Sequence, residues 1–139
     1  GAGLGTLGFS RFREMARHYG LAADPITRQR LADIYVRQQV ARFTTQRAMA
    51  KIRAGQLPGP EMSIAKLALT AHMQKIAQVL GEILGPRLVA DTGEWGAYAW
   101  AEFVLGIPGL RIAGGTDEVM RNIVGERVLG LPKEPRGTQ

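Results

Sequence analysis

The sequence predicts an all-α protein, an antiparallel four-helix bundle with one long connection before its last helix. Apolar residues recur at spacings of three and four along most of the chain, and no useful run alternates with the period of two that marks a β-strand. Glycine and proline interrupt this pattern where helices are expected to end. The 139 residues, 45% of them hydrophobic, suit one domain with one core.

The first two predicted helices lie on either side of Gly20. The first spans about Leu7 to Tyr19, and the second spans about 27–54. The second helix carries two apolar stripes, which predicts that it packs both within the bundle and against another subunit. One stripe consists of Ala32, Val36, Val40 and Phe43, and the other of Ile34, Ala41, Ala48 and Ile52.

The second half of the chain is predicted to hold two helices and a long loop. The third helix begins at Pro60 and carries an apolar seam up to Gly85-Pro86. An irregular stretch, 87–113, is rich in glycine and large aromatic residues, so we expect a functional loop there. The last helix spans about Thr116 to Leu129, with Gly130 and Pro132 beyond it.

The charge of the chain is strongly basic and comes mostly from arginine. The net charge is +6, with 14 arginines and 4 lysines. Guanidinium groups bind planar anions, so a nucleotide cofactor, coenzyme A or nucleic acid are candidate partners. Because the arginines are spread along the sequence, a solvated surface or salt bridges explain them equally well. Without a dense basic helix face, nucleic-acid binding is the less favoured alternative.

Several other classes of protein are not expected. No apolar run reaches about 18 residues, and the start of the chain does not have the organisation of a secretory signal. Cysteine is absent, which removes disulfides and thiolate metal sites and is compatible with a cytoplasmic location. His18 and His72 lie in different predicted helices, so we expect no metal site. Gly3–Gly8 matches G-x-G-x-x-G but lacks the preceding strand of a dinucleotide-binding fold.

The turn before the last helix is the most informative segment. Gly114 and Gly115 predict a turn without side chains, and Thr116 is a candidate N-cap. Asp117 and Glu118 suit the positive end of the helix dipole. Free N–H groups at such a turn can meet a phosphate or a flavin edge, although a well-capped helix explains the same residues.

Three segments resemble acyl-CoA dehydrogenases. The run GGTDEVMRNIVGERVLGLP at 114–132 resembles their terminal signature, in which a Gly-Gly-Thr or Glu-Gly-Thr turn opens the last helix. The segment 24–35 is similar to the one after their Arg-x-x-Phe-Gly motif, and Ser63-Ile-Ala-Lys-Leu67 to the start of their third helix. The resemblance implies that residues 1–139 form the C-terminal helical bundle domain, with the N-terminal helical domain and the β-domain absent from this chain.

The resemblance also implies a chemistry for the parent enzyme. Acyl-CoA dehydrogenases remove two hydrogens from the α and β carbons of an acyl-CoA thioester, using FAD as the cofactor. A carboxylate takes the α proton and the flavin N5 takes the β hydride. We therefore expect an acyl-CoA substrate, electron-transfer flavoprotein as the electron acceptor, and a role in fatty acid metabolism. A homo- or hetero-oligomer, often a dimer of dimers, is implied as well.

The motif positions assign candidate site residues by resemblance. Thr116, Asp117 and Glu118 are expected at the flavin, and Gly114 and Gly115 near the flavin or the thioester. Arg17 is expected to correspond to the family arginine that reaches an FAD phosphate.

The sequence departs from the family pattern at two further places. Gly85-Pro86 stands where the family usually has Gly-Gly, and Ile107-Pro108 where it usually has Ser-Arg. The catalytic base is left open between Glu102 and a carboxylate upstream of residue 1. A non-catalytic subunit that pairs with a catalytic homologue is the remaining alternative.

Overall fold

The structure, a computed structural model, describes residues 8–57, 59–98 and 100–133. These residues form five α-helices and no β-strand, so the predicted all-α class is confirmed. The helices are α1 (Phe9–His18), α2 (Pro25–Arg53), α3 (Glu61–Leu84), α4 (Ala101–Ile112) and α5 (Asp117–Arg127). A short 3-10 helix (Gly85–Leu88) follows α3.

Helices α2 and α3 form an antiparallel pair. Arg30 Nη1 lies 2.6 Å from Glu82 Oε2, and Lys75 Nζ lies 3.8 Å from Asp33 Oδ2. These ion pairs join the first part of α2 to the last part of α3, which fixes their opposite directions. Both pairs are partly exposed, so each contributes little to stability, about 1 kcal/mol at most.

The core forms where α1 and α3 meet α2 and α4. Its side chains are aliphatic, aromatic or thioether groups, and the burial of such groups in a close-packed interior is the main stabilising contribution. The largest fully buried residues are Phe12, Met15, Ile34, Ile76, Val79, Leu80 and Leu84.

The prediction of a loop throughout 87–113 is wrong for its second half. Residues Ala101–Ile112 form α4, even though Pro108 lies inside it and cannot donate a backbone hydrogen bond. Ala101 and Ile107 are buried, and Phe103 and Val104 pack against the core. Tertiary packing of this apolar segment therefore outweighs its weak helix propensity, and α4 is a fifth helix among the described residues.

The remaining loop, described over residues 89–98, is attached to the end of α1. The hydroxyl of Tyr19 donates to the Trp95 carbonyl at 2.7 Å, and the Arg87 guanidinium lies 4.9 Å from the centre of the Tyr19 ring. Arg87 Nε also contacts Glu94 Oε2 at 2.6 Å and holds the pKa of that carboxyl below its ordinary value. These contacts fix the loop at the end of α4 that carries Trp100.

The two apolar stripes of α2 have different surroundings. The inner stripe is buried at Ile34, Ala41 and Ala48, as predicted, and half-buried at Ile52. The outer stripe is exposed in the described part of the chain, with Val36 and Phe43 accessible over 57% and 56% of their surface. Packing of this outer stripe against another subunit stays a prediction.

Other sequence predictions are only partly open to structural description. Of the segment Gly3–Gly8 and of the helix start expected at Leu7, all but Gly8 lies outside the described residues. None of the helices in the described ranges is long and apolar enough to cross a membrane. In the same ranges, no three or more His, Asp or Glu side chains group in a way that could hold a metal ion.

Candidate functional site

The turn between α4 and α5 is built from two adjacent glycines in left-handed backbone conformations. Gly114 has φ 67° and Gly115 has φ 101°. A Cβ on Gly114 would meet nothing within 4 Å, whereas a Cβ on Gly115 would lie 2.4 Å from Met120 Cε. The turn therefore requires glycine for its backbone, and Gly114 leaves its outer side free of side-chain atoms.

Thr116 caps α5, as the sequence predicts. Its Oγ1 accepts a hydrogen bond from the backbone N–H of Val119 at 3.3 Å. The next acidic side chain, Glu118, is exposed, and its own backbone N–H together with the Thr116 hydroxyl lowers the pKa of its carboxyl. The Glu118 carboxylate and the backbone of Gly114 are therefore both exposed at this helix start.

Asp117 turns the other way and lies inside the bundle. Asp117 is only 5% exposed, and Arg111 Nε lies 2.6 Å from its Oδ2. Thr70 Oγ1 on α3 donates to its Oδ1 at 3.2 Å. The hydrogen bond from Arg111 holds the pKa of Asp117 below its ordinary value of 3.8, although burial opposes this. The carboxylate is consequently engaged in supporting the turn.

Lys66 supports the same turn from α3. Its Nζ donates a hydrogen bond to the backbone carbonyl of Gly115. Lys66 and Thr70 are four residues apart, which places them on one face of α3, one above the other. Lys66 lies within the Ser63–Leu67 motif, but the sequence does not assign it a role. Its contact with Gly115 joins residues 49 positions apart, and the contact of Thr70 with Asp117 joins residues 47 positions apart. The signal in the sequence that could have indicated these contacts is the spacing of Lys66 and Thr70, two polar residues one helical turn apart beside the apolar seam of α3.

A second candidate feature is a cavity of about 420 Å³ between α1 and α2. Three arginines lie around an apolar and aromatic wall, and none of the described residues that line the cavity is acidic. Its lining consists of Phe9, Arg13, Ala16, Arg17, Ala22, Arg28, Leu31, Ala32 and Tyr35. Although the arginines are spread along the sequence, the fold brings these three together around one cavity.

The arginines of the cavity carry positive charge that the chain itself leaves largely uncompensated. Arg13 and Arg17 lie one turn apart on α1, and in the described ranges neither has an acidic partner. Arg28 donates from Nη1 to the Ala22 carbonyl at 3.3 Å. Guanidinium groups beside an aromatic wall suit a ligand with a phosphate and a planar apolar part.

The structure brings together only some of the predicted site residues. Gly114 to Glu118 form one site, whereas Glu102 is an exposed residue in the first turn of the same helix that leads to it. At 1.5 Å per residue, Glu102 and Gly114 are separated by about 18 Å. Arg17 lies on α1, away from this turn, next to His18, whose ring is 5.2 Å from the Trp95 ring.

The comparison that decides the family is with a whole-domain sequence model. The model described as "Acyl-CoA dehydrogenase, C-terminal domain" matches residues 5–129. The chain belongs to the acyl-CoA dehydrogenase family. The resemblance of its three motifs is thereby confirmed, and the all-helical structure is consistent with the C-terminal helical domain of this family.

Known acyl-CoA dehydrogenases are similar to the chain over nearly its full length. It is 29% identical to acyl-CoA dehydrogenase IpdE1 of Mycobacterium tuberculosis, over 97% of this chain and 36% of the relative. It is 31% identical to IpdE1 of Mycolicibacterium smegmatis, over 97% of this chain and 35% of the relative. Acyl-CoA dehydrogenase FadE34 of M. tuberculosis is 30% identical over 79% of this chain and 15% of the relative. No solved structure matches the chain.

The chain therefore spans about a third of the length of the two IpdE1 relatives. As a C-terminal acyl-CoA dehydrogenase domain, it contains the turn, the arginine cavity and the exposed stripe of α2. The cavity and the exposed stripe meet at Ala32 on α2, and the cavity lining contains no residue of the turn.

Proposed function

We propose that this chain is the C-terminal part of the FAD site of an acyl-CoA dehydrogenase that catalyses α,β-dehydrogenation of an acyl-CoA thioester. The observation that carries the proposal is the Gly114–Glu118 turn, which has an open outer side and is held from within. The N-terminal helical domain and the β-domain are proposed to supply the rest of the site. Electron-transfer flavoprotein is the proposed acceptor, and the cytoplasmic location stays a prediction.

The residues of the turn fit a flavin ring. Gly114 has no side chain and open space around it, so a flat ring can approach the backbone closely. Thr116 and Glu118 are polar residues at the start of α5, where the helix dipole favours negative charge on a ligand. When bound, the flavin supplies the acceptor for the hydride that leaves the β carbon.

Within this proposal, Asp117 acts from behind the turn. Its carboxylate is occupied by Arg111 and Thr70, so it orients α5 and does not contact a ligand directly. Gly114, Gly115, Thr116 and Glu118 are the residues proposed to lie against the cofactor. Their backbone excludes water from one edge of the ring and offers N–H groups to it.

The arginine cavity is proposed to bind the diphosphate of FAD. Arg17 is the residue expected there from the family resemblance, and Arg13 and Arg28 line the same cavity. Two adjacent phosphates and several guanidinium groups make charge-assisted hydrogen bonds, which are stronger than neutral ones. Because the cavity is lined by α1, α2 and the loop between them and by no residue of the turn, we propose that the cavity and the turn serve two flavins in neighbouring subunits of an oligomer.

The outer stripe of α2 supports an oligomer. Val36, Val40 and Phe43 form an apolar row on the exposed side of the longest helix. Burying such a row contributes about 25 cal/mol for each Å² removed from water. A homo- or hetero-oligomer, in the form of a dimer of dimers, is the proposed assembly.

The catalytic base is proposed to come from outside this chain. A general base must lie within hydrogen-bond reach of the proton that it takes. Glu102 lies about 18 Å along α4 from the turn, at 1.5 Å per residue. It remains the carboxylate that the sequence nominates, but a base upstream of residue 1 fits the proposed site better.

The experiment is to purify the full-length protein that contains this chain and record its visible spectrum. We expect an absorption band near about 450 nm, the signature of bound flavin, and its bleaching when an acyl-CoA substrate is added without an acceptor. Flavin released by denaturation should reach about one per chain. A protein without this band would contradict the proposal.

One observation favours a second candidate, a non-catalytic subunit. Among the described residues at the turn, the carboxylate that is not buried is Glu118, which is strongly exposed and lies 4.0 Å from Arg121 Nη1. A chain of this type would need a catalytic homologue to complete the reaction. Native mass and turnover of the protein, purified alone and with co-encoded homologues, distinguish the two candidates. An active homo-oligomer excludes the second.

A further inference from the structure

Two contacts from α3 hold the turn around the peptide bond between Gly115 and Thr116. Lys66 donates to the Gly115 carbonyl, which is one side of this peptide. One helical turn later, Thr70 donates to the carboxylate of Asp117, the residue after Thr116. The same face of α3 therefore fixes the turn at two successive points.

The direction of the Gly115 carbonyl determines the direction of the Thr116 N–H. In a trans peptide these two groups point in opposite directions, and the described residues contain no cis peptide. Because the carbonyl faces Lys66 on α3, the Thr116 N–H faces away from α3. Nothing in the described part of the chain accepts a hydrogen bond from this N–H.

The two glycines allow the Gly115–Thr116 peptide to adopt more than one orientation. Gly114 and Gly115 both have positive φ, and a residue without Cβ can reach either sign of φ easily. The peptide could therefore rotate unless something holds it. An ammonium group that binds the carbonyl selects one orientation, and it also polarises the peptide so that the N–H becomes a stronger donor.

We propose that Lys66 is a positioning residue of the flavin site. It fixes the Gly115–Thr116 peptide so that the Thr116 N–H is offered to an acceptor atom on the flavin ring. Lys66 itself does not touch the cofactor, because its ammonium lies on the inner side of the turn. This role rests on the proposed function, since it requires the turn to lie against flavin.

The experiment compares variants of the full-length flavoprotein. Lys66→Met removes the donor and the charge but keeps the length of the side chain, and Lys66→Arg restores a cationic donor. Lys75→Met is the matched control, because Lys75 lies on the same helix but contacts Gln78 and Asp33. Flavin affinity, the absorption spectrum at saturating flavin and the midpoint potential are measured for each.

We expect Lys66→Met to weaken flavin binding about tenfold, the loss that one charge-assisted hydrogen bond accounts for. The flavin band and the midpoint potential should also shift at saturating flavin. Lys66→Arg should recover most of the affinity, and Lys75→Met should leave all three quantities unchanged. A merely structural role would lower the melting temperature without moving the spectrum, and that result would overturn the proposal.

Two further measurements, the flavin spectra of a second pair of variants and amide hydrogen exchange, test the role of Lys66 separately. If Lys66→Met does not fold, Lys66→Gln against Lys66→Arg makes the same comparison with a neutral and a charged donor, and equal flavin spectra would overturn the role. A wild-type protein without flavin would overturn the proposed function. In that case, amide hydrogen exchange at residues 114–118 still decides whether Lys66 fixes the peptide. We expect about tenfold faster exchange in Lys66→Met than in Lys75→Met, and equal rates would overturn the fixation itself.

Discussion

The turn and the arginine cavity use charged side chains in opposite ways. At the turn, Asp117 is buried and its charge is met by Arg111 inside the same chain. At the cavity, Arg13 and Arg17 are exposed, and the described residues give them no acidic partner. The ion pair inside the chain holds the backbone of the turn, whereas the unpaired arginines leave the cavity able to bind an external anion. Loss of charge should therefore cost stability at the turn and ligand binding at the cavity.

The largest effect is expected at Asp117. We expect Asp117→Ala to lower the free energy of unfolding by about 2 to 3 kcal/mol, because it removes the carboxylate that pairs with Arg111 and accepts from Thr70. Denaturant titration of the purified protein measures this change. Asp33→Ala is the control, since Asp33 forms partly exposed pairs with Arg37 at 2.8 Å and with Lys75 at 3.8 Å. That variant should lose no more than about 1 kcal/mol, and equal losses would contradict the comparison.

The same carboxylate predicts a pH dependence. The folded-state pKa of Asp117 lies below the ordinary value of 3.8, so the folded state binds its proton less readily than the unfolded state does. Its stabilising contribution is complete above the ordinary pKa and is lost as the pH falls through the lowered one. The stability difference between wild type and Asp117→Asn should therefore be constant near neutral pH and shrink below about pH 4. A difference that grows on acidification would contradict this assignment.

A smaller effect is expected from the backbone of the turn. Gly115→Ala should lower the free energy of unfolding by about 1 to 3 kcal/mol, because alanine is strained at φ 101°. The contact with Met120 adds less, since the Cε atom ends a flexible side chain. Gly106→Ala in α4 is the matched control, with open space around it, and it should raise stability by up to about 1 kcal/mol. Thermal unfolding that ranks the two variants the other way would contradict the need for glycine at the turn.

Local signals in the sequence account for most of the fold. The ends of α2, α3 and α5 agree with prediction to within about two residues, because caps and breakers act over a few positions. Helix α4 was missed because Pro108 and its neighbouring glycines are weak helix formers, and only packing against the core reveals the helix.

The candidate site was predictable only where it is contiguous in sequence. The turn itself and the Thr116 cap follow from neighbouring residues. The contacts of Lys66 and Thr70 with it cross nearly fifty positions, so they depend on how α3 packs against α5. The arginine cavity likewise needs Arg28 on α2 to come beside the α1 arginines, which no local pattern predicts.

The smallest effect on stability is expected at the cavity, where the largest effect on binding should lie. Substituting Arg13 and Arg17 together by Gln should change the free energy of unfolding by no more than about 0.5 kcal/mol, as for most surface sites. Inorganic diphosphate should raise the unfolding midpoint of the wild type, since a ligand at a hundred times its Kd stabilises by about 2.7 kcal/mol. The double variant should lose this response. The control Arg47→Gln, at an exposed position on α2, should keep it. A double variant that still responds to diphosphate would show that the cavity is not the anion site, and the contrast between paired and unpaired charge would then hold only at the turn.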